Sequence, residues 1–482
     1  MQLSHTRPVA AAIFDDPNLV STAGLAPVMA LAQHCNLADL ADEHLSVPTD
    51  KGANAGRKTG SLVAGMVAGA DSIADMTILR HGAMKTLFDH PYAPPTLGSS
   101  LRAFTFGHAR QLDAVASRFL RHLAAAAPLV AGIDTERVLI DIDDSIIEVH
   151  GHSKQGSGYG YSGVRGLNSL ITTLTTSTTA PVIVAQRLRK GSCGSSRGAA
   201  RMIADTLTTV GRMRTAAVSA TPIVNGTEPQ RISKPLVRAD SAFFGYPTIG
   251  AAVRGGADIS ITTGLNSVIR SAIGAIAGDT WTPIKYTHAL FDEETQQWIS
   301  VAEVAEIPFT AFASQKKAHH VPGRLIVRRI PDLRPQKDQG QRHLFGVWRF
   351  HAFFTTTDPT ELDTVTADKT HRQHAIIEQV HADLKNSALA HLPSSRFTAN
   401  STWLVCAVMA FNLTRAAATL TADPKLAKAS TGTIRRTVIS VPARISYSAR
   451  KLTLHLPIGW PWEKPWMMLF QSMIRRNVPI TA

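Results

Sequence analysis

The run Val138-Leu139-Ile140-Asp141-Ile142-Asp143-Asp144-Ser145-Ile146-Ile147-Glu148-Val149 constrains this chain most. Its β-branched, nearly continuous apolar texture is that of a strand inside a sheet. Strand side chains alternate between faces, so Asp141 and Asp143 point the same way and Ile140 and Ile142 point the other. A carboxylate inside an apolar strand is costly unless it is paired or bound to metal. Two on one face are hard to explain as packing. The alternative is a strand that ends at Asp141 and runs into a turn, but Ile146, Ile147 and Val149 continue the strand texture.

The neighbouring segments predict a mixed α/β sheet. Two β-branched runs, Leu167 to Thr178 and Ala180 to Leu188, follow a Gly/Tyr loop from Gly156 to Gly166. Then come a helix around Arg197 to Val210, a strand from Pro235 to Ala239, a helix near Ile249 and a strand from Asp258 to Thr263. Upstream, residues 20–125 carry apolar side chains at helical spacing, with Pro94-Pro95 as a break and Thr96 as the expected cap of the next helix. Downstream, residues 280–356 return to strand-like runs, interrupted by a polar linker from Pro331 to Gln341. A long helix is expected from Asp368 to Leu392, and a second, apolar one from Trp403 to Ala418.

Two further acidic positions stand out. Asp240 closes the strand Pro235–Ala239, where ligands of α/β sheets gather, although an Asp there is often the N-cap of the next helix. On the predicted helix, His371, His374, Glu378, His381 and Lys385 are spaced 3, 4, 3 and 4 and form one stripe. Three readings are open: a solvated polar face, a zinc site of His371, His374 and Glu378 without the HExxH arrangement, or a catalytic Glu with His and Lys side chains gripping phosphate. Two aspartates from strands and a glutamate from a later helix form a hard oxygen donor set, suited to Mg²⁺ or Mn²⁺ rather than zinc. Two such ions can clamp the attacking and leaving oxygens of a phosphoryl displacement.

Charge narrows the partner. The net charge is +14, yet residues 1–310 hold 26 basic and 26 acidic side chains. Residues 311–482 hold 24 basic and 10 acidic, so the whole surplus lies there. A polyanion such as nucleic acid is the usual partner of such a surface, with solubility as the plain alternative. Cys35, Cys193 and Cys406 are too far apart in sequence for a CxxC zinc site or a disulfide scaffold. The longest apolar stretch, Trp403 to Leu413, is interrupted by Asn412 and falls short of the ~18–20 residues that cross a bilayer. With no secretory signal expected, a cytoplasmic protein without membrane partners is the expectation.

The residues also resemble a known family. Leu139-Ile140-Asp141-Ile142-Asp143-Asp144-Ser145 is similar to the first-aspartate segment of the IS1380 family of DDE transposases, within the IS4-like group of bacterial insertion sequences, with Ser145 for Thr. Arg238-Ala239-Asp240-Ser241-Ala242-Phe243 resembles the second-aspartate block, and Glu378 with Lys385 has the Glu-x6-Lys spacing of the IS4-like signature. The Tyr and Arg places of that signature hold His371 and His374, with Arg372 out of register. Arg102 to His108, Gly158 to Asn168, His391 to Pro393, Trp403 to Leu413 and the Trp-rich C-terminus also resemble family blocks.

The resemblance implies an α/β, RNase H-like mixed-sheet catalytic core with a β-rich insertion, plus a helical N-terminal DNA-binding region. It divides the chain into 1–130 (helical, DNA-binding), 131–280 (first part of the core), 281–367 (insertion), 368–420 (the Glu-bearing helix) and 421–482 (basic, Trp-rich). Asp143, Asp240 and Glu378 are then the catalytic residues and the ligands of two Mg²⁺ or Mn²⁺ ions, with Asp141 as an additional candidate. Lys385, Arg372, His374 and His371 are the expected DNA contacts. The implied partners are terminal inverted repeats and target DNA, bound by a homodimer near the bacterial nucleoid. An RNase H-like nuclease without strand transfer and an inactive DNA-binding protein are the alternatives.

Overall fold

A computed structural model describes residues 11–48, 50–88, 90–150, 153–220, 233–292, 297–331, 348–449 and 451–476. Most of the polar linker expected from Pro331 to Gln341 lies outside these residues. The apolar runs become one ten-stranded sheet. Its first part contains β1 (Leu139–Glu148), β2 (Arg165–Thr175), β3 (Val182–Lys190), β4 (Leu236–Ala239) and β5 (Asp258–Thr263). Strands β3, β2 and β1 pair antiparallel in succession, whereas β4 runs parallel to β1 and β5 parallel to β4. The two-residue strand Gly158–Tyr159 also pairs with β2. Gly166 is required at that crossing, because a Cβ there would come within 2.3 Å of the Ile147 carbonyl oxygen.

The strands downstream do not form a body of their own. β6 (Thr282–Asp292), β7 (Gln297–Ala311), β8 (Val321–Pro331) and β9 (Trp348–Thr355) form an antiparallel meander, and β9 pairs with β5. The expected insertion therefore lengthens the same sheet, in the order β3-β2-β1-β4-β5-β9-β8-β7-β6.

Helices cover both faces. The helix Ala199–Ala220 lies on the Ile142 side, where the hydroxyls of Thr172 and Thr206 are 2.6 Å apart and Thr172 pairs with Ile142. The helix expected over 368–392 is interrupted. Thr364–Arg372 and Ile376–Lys385 are joined by a 3-10 turn, Gln373–Ala375. The central helix Phe397–Thr419 is buried on almost every side and packs against both the sheet and the N-terminal helix Phe106–Ala126. Its Asn412 accepts the Ile183 N–H at 2.9 Å and donates to the Ile183 carbonyl at 2.7 Å, which satisfies the outer edge of β3.

Upstream, Pro94–Ala103 begins at the two prolines, with Ala93 rather than Thr96 as its N-cap. Proline at the first helical turn forfeits no hydrogen bond, so it starts the helix instead of breaking it. Leu19–Val20 pairs with Ala443–Ser448, which pairs with Lys451–His455. The beginning and the C-terminal part of the described chain thus share a small sheet. Among the described residues no helix is long and apolar enough to cross a membrane.

Candidate active site

Register sets the site. Asp141 on β1 pairs with Arg238 on β4, and Arg238 pairs with Ser260 on β5. These three share one row on one face. Two residues further along their parallel strands, Asp143 and Asp240 reach the next row, at the carboxyl end of β4.

The three aspartates of β1 have different fates. Asp141 is fully buried, and Arg238 reaches it in a fork, Nε to Oδ1 and Nη2 to Oδ2, both at 2.7 Å. His374 Nδ1 lies 2.9 Å from the same Oδ1. Burial pushes the Asp141 carboxyl up, but the Arg238 charge and the His374 hydrogen bond hold it below the usual range. Both of its oxygens are engaged, so the candidate ligand role of Asp141 gives way to an internal ion pair. Asp144, on the opposite face, meets Arg189 at 2.9 Å and accepts from Asn168.

Asp143 alone of the three has no arginine or lysine within ion-pair distance among the described residues. Its Oδ1 accepts the Asp144 N–H at 2.7 Å, and its Oδ2 lies 3.7 Å from His381 Nε2. Burial, with the charges of Asp240 and Asp144 adding, pushes its carboxyl up to about 7. Asp240 caps the turn Ser241–Phe243 by accepting the Ala242 N–H at 3.0 Å. The N-cap role considered for it is real, and partial desolvation and the Asp144 charge also raise its carboxyl.

The Glu378 helix packs on the Asp141/Asp143 face. Its stripe is split by function. His371, an expected DNA contact, has its ring engaged within the fold: its nitrogens lie 2.8 Å from the Ser260 hydroxyl and 3.0 Å from the Thr262 hydroxyl. Its ring stacks on Phe353 with centroids 4.1 Å apart. With His371 so engaged and His374 Nδ1 turned to Asp141, the zinc reading fails. Arg372 donates to Asp368 at 2.8 Å. His381 is buried and held down to about 4, by burial first and the Lys385 charge second. Glu378 is exposed, four residues after His374 and three before His381 in sequence. Lys385 is half-buried. Burial lowers its ammonium pKa, while the Asp143 charge raises it. Lys385 also lines a cavity of about 610 Å³ with Ser145, Lys154 and His391.

Among the described residues no three His, Cys, Asp or Glu side chains are gathered closely enough to hold a metal ion. The donor chemistry nonetheless fits a hard divalent cation. Asp143 and Asp240 raise each other's neighbourhood in negative charge, and Asp143 lacks a cationic partner. Sequence reasoning missed Arg238 as the partner of Asp141. Its signal was the basic residue two positions before Asp240, matching Asp141 two positions before Asp143.

A search of curated proteins finds no match to this chain. The family model described as transposase DDE domain group 1 matches residues 2–478. With that model covering nearly the whole chain, and with Asp143 in β1 and Asp240 just past the end of the parallel strand β4, the chain belongs to that family of DDE transposases.

Proposed function

We propose that this transposase cuts DNA at the ends of an insertion element and joins them to target DNA, with Asp143, Asp240 and Glu378 as its acidic triad. The observation that carries the reading is the unpaired Asp143 beside Asp240, in a strand whose other two aspartates are each neutralised by arginine. The order β3-β2-β1-β4-β5, with only β1, β4 and β5 parallel, supports an RNase H-like core. The residues listed above resemble the IS1380 family, which supports a bacterial insertion-sequence origin, nucleoid-associated action and a dimer pairing two ends.

Asp143 and Asp240, joined by Glu378, would hold two Mg²⁺ or Mn²⁺ ions. When bound, these supply charge to stabilise the phosphoryl transition state. In the first step a water oxygen bonds to phosphorus, the bond from phosphorus to the 3′ oxygen breaks, and that oxygen takes up a proton. In the second, the freed 3′ hydroxyl bonds through its oxygen to a target phosphorus and displaces the target's 3′ oxygen, which leaves as a hydroxyl as the attacking group gives up its proton. Lys385 would hold a phosphate oxygen beside Asp143, and the helical N-terminal region would read the end sequence.

The test uses the purified full chain, a duplex bearing the inverted repeat that flanks its gene, and Mg²⁺. Nicked and joined products are expected. Nicks without joining favour a nuclease, and binding without nicks favours an inactive DNA-binding protein.

A further inference from the structure

One buried cluster joins β1 and β4 to the segment that leads into the Glu378 helix. Arg238 is 1% exposed and Asp141 is completely buried. Besides its two bonds to Asp141, Arg238 donates Nη1 to the Thr370 carbonyl. Asp141 in turn receives His374. The offsets recur: Asp141 lies two residues before Asp143, Arg238 two before Asp240, and His374 four before Glu378. Two residues along a strand return to the same face. Asp141 and Arg238 therefore stand one row before Asp143 and Asp240, and His374 sits in the 3-10 turn that leads into the Glu378 helix.

We infer that Arg238, Asp141 and His374 form a positioning clamp that sets the spacing of the three acidic residues. The inference rests on the proposed roles of Asp143, Asp240 and Glu378. A hydrophobic trio would pack this sheet-to-helix junction at least as stably, because desolvating an ion pair is costly. It would leave the sliding of β4 along β1, and of the helix over both, less specified. The guanidinium fork resists both motions, since its planar donors accept the carboxylate in one arrangement. The third donor ties the helical segment just before the 3-10 turn, and His374 ties that turn itself. Glu378 lies four residues on and has no contact of this kind among the described residues, so its placement is inherited from the clamp.

His374→Ala removes one arm and His374→Gln keeps a donor. Both are compared with wild type in Mn²⁺ binding by the free protein, followed by electron paramagnetic resonance, and in end binding and cleavage by the full chain. The expected result for His374→Ala is Mn²⁺ affinity weakened about 10-fold or more, cleavage slowed about 100-fold, end affinity within about 2-fold, and substantial recovery in His374→Gln. Arg238→Lys should behave like His374→Ala if it folds, and the His374 pair decides the matter if it does not. The clamp is overturned if His374→Ala lowers only the melting temperature, with Mn²⁺ binding and cleavage unchanged, or if its main loss is end affinity. Asp143→Asn separates this from the underlying reading. If Asp143→Asn cleaves at the wild-type rate, the acidic triad itself is wrong, whereas an inactive Asp143→Asn beside a fully active His374→Ala removes the clamp alone.

Discussion

Nε2 of His381 lies 3.7 Å from the Asp143 carboxylate and has no hydrogen-bond partner, although the ring is buried. An unpartnered buried nitrogen costs about 1–3 kcal/mol. Held at about 4, the ring is neutral at pH 7, so it does not neutralise Asp143. His381→Leu should therefore raise stability by about 1 kcal/mol while slowing cleavage, an exchange typical of functional sites. Urea midpoints and cleavage rates measured on one preparation check both halves.

On the proposed acidic triad, Asp143→Asn, Asp240→Asn and Glu378→Gln should each depress cleavage by several orders of magnitude and leave end binding intact, because groups with that role act mainly in the transition state. Pairs of these changes should add little, since the triad acts as a unit. Single-turnover cleavage with parallel gel-shift titrations tests this. Glu378 is exposed, so Glu378→Gln should shift folding stability by no more than ~0.5–1 kcal/mol.

His371 is, with His381, one of two buried rings that make stability depend on acid. Burial and the neighbouring His374 charge lower it from 6.5 to about 3 in the folded chain. The unfolded chain therefore binds a proton that the folded chain refuses between those values. The contribution of His371 is complete above pH 6.5 and is lost as pH falls toward 3. His371→Gln should be less stable than wild type at pH 7 and should lose less stability between pH 6.5 and 4. Denaturant titrations at both pH values decide it.

Lys316 and Lys317 are exposed on the β7–β8 loop, which is anchored by His319 stacked on Tyr246 at 3.8 Å. Tyr246 lies six residues beyond Asp240. If the basic surplus of residues 311–482 contacts DNA, Lys316→Ala with Lys317→Ala should lower the slope of log affinity against log salt by about 2, or roughly 0.9 per lost phosphate contact. The full chain is needed, because β9 is hydrogen-bonded to β5 and a C-terminal fragment would lack its neighbour.

Asn412 is the one polar break in the run from Trp403 to Leu413, and it pairs with both main-chain groups of Ile183. Asn412→Leu should cost about 2–4 kcal/mol, since it strands a buried N–H and C=O together. A fall in the urea midpoint with an unchanged slope is the expected signature.

Much of this was legible in the chain because strand texture is local. The strand expected from Asp258 to Thr263 forms over those residues, and β1 forms through Asp143 rather than ending at Asp141. What pairs with what is not local. The alternation that put Asp141 and Asp143 on one face could not tell them apart, because their difference lies in Arg238, nearly a hundred residues away. The helix stripe misled for the same reason: His371 has the spacing of a surface ligand, but the hydroxyls of β5 and the ring of Phe353 claim it. The meander gave no sign that it would join the first sheet, since edge pairing between β5 and β9 carries no signature of its own.

That shared sheet also orders events during synthesis. A ribosome releases both aspartates well before Glu378, with the β6–β9 strands coded in between. On the proposed triad, a chain ended before the Glu378 helix holds two of the three acidic residues and no arm from His374. The power to cut DNA would then arrive only with the last of the three, and copies truncated before it would lack that power.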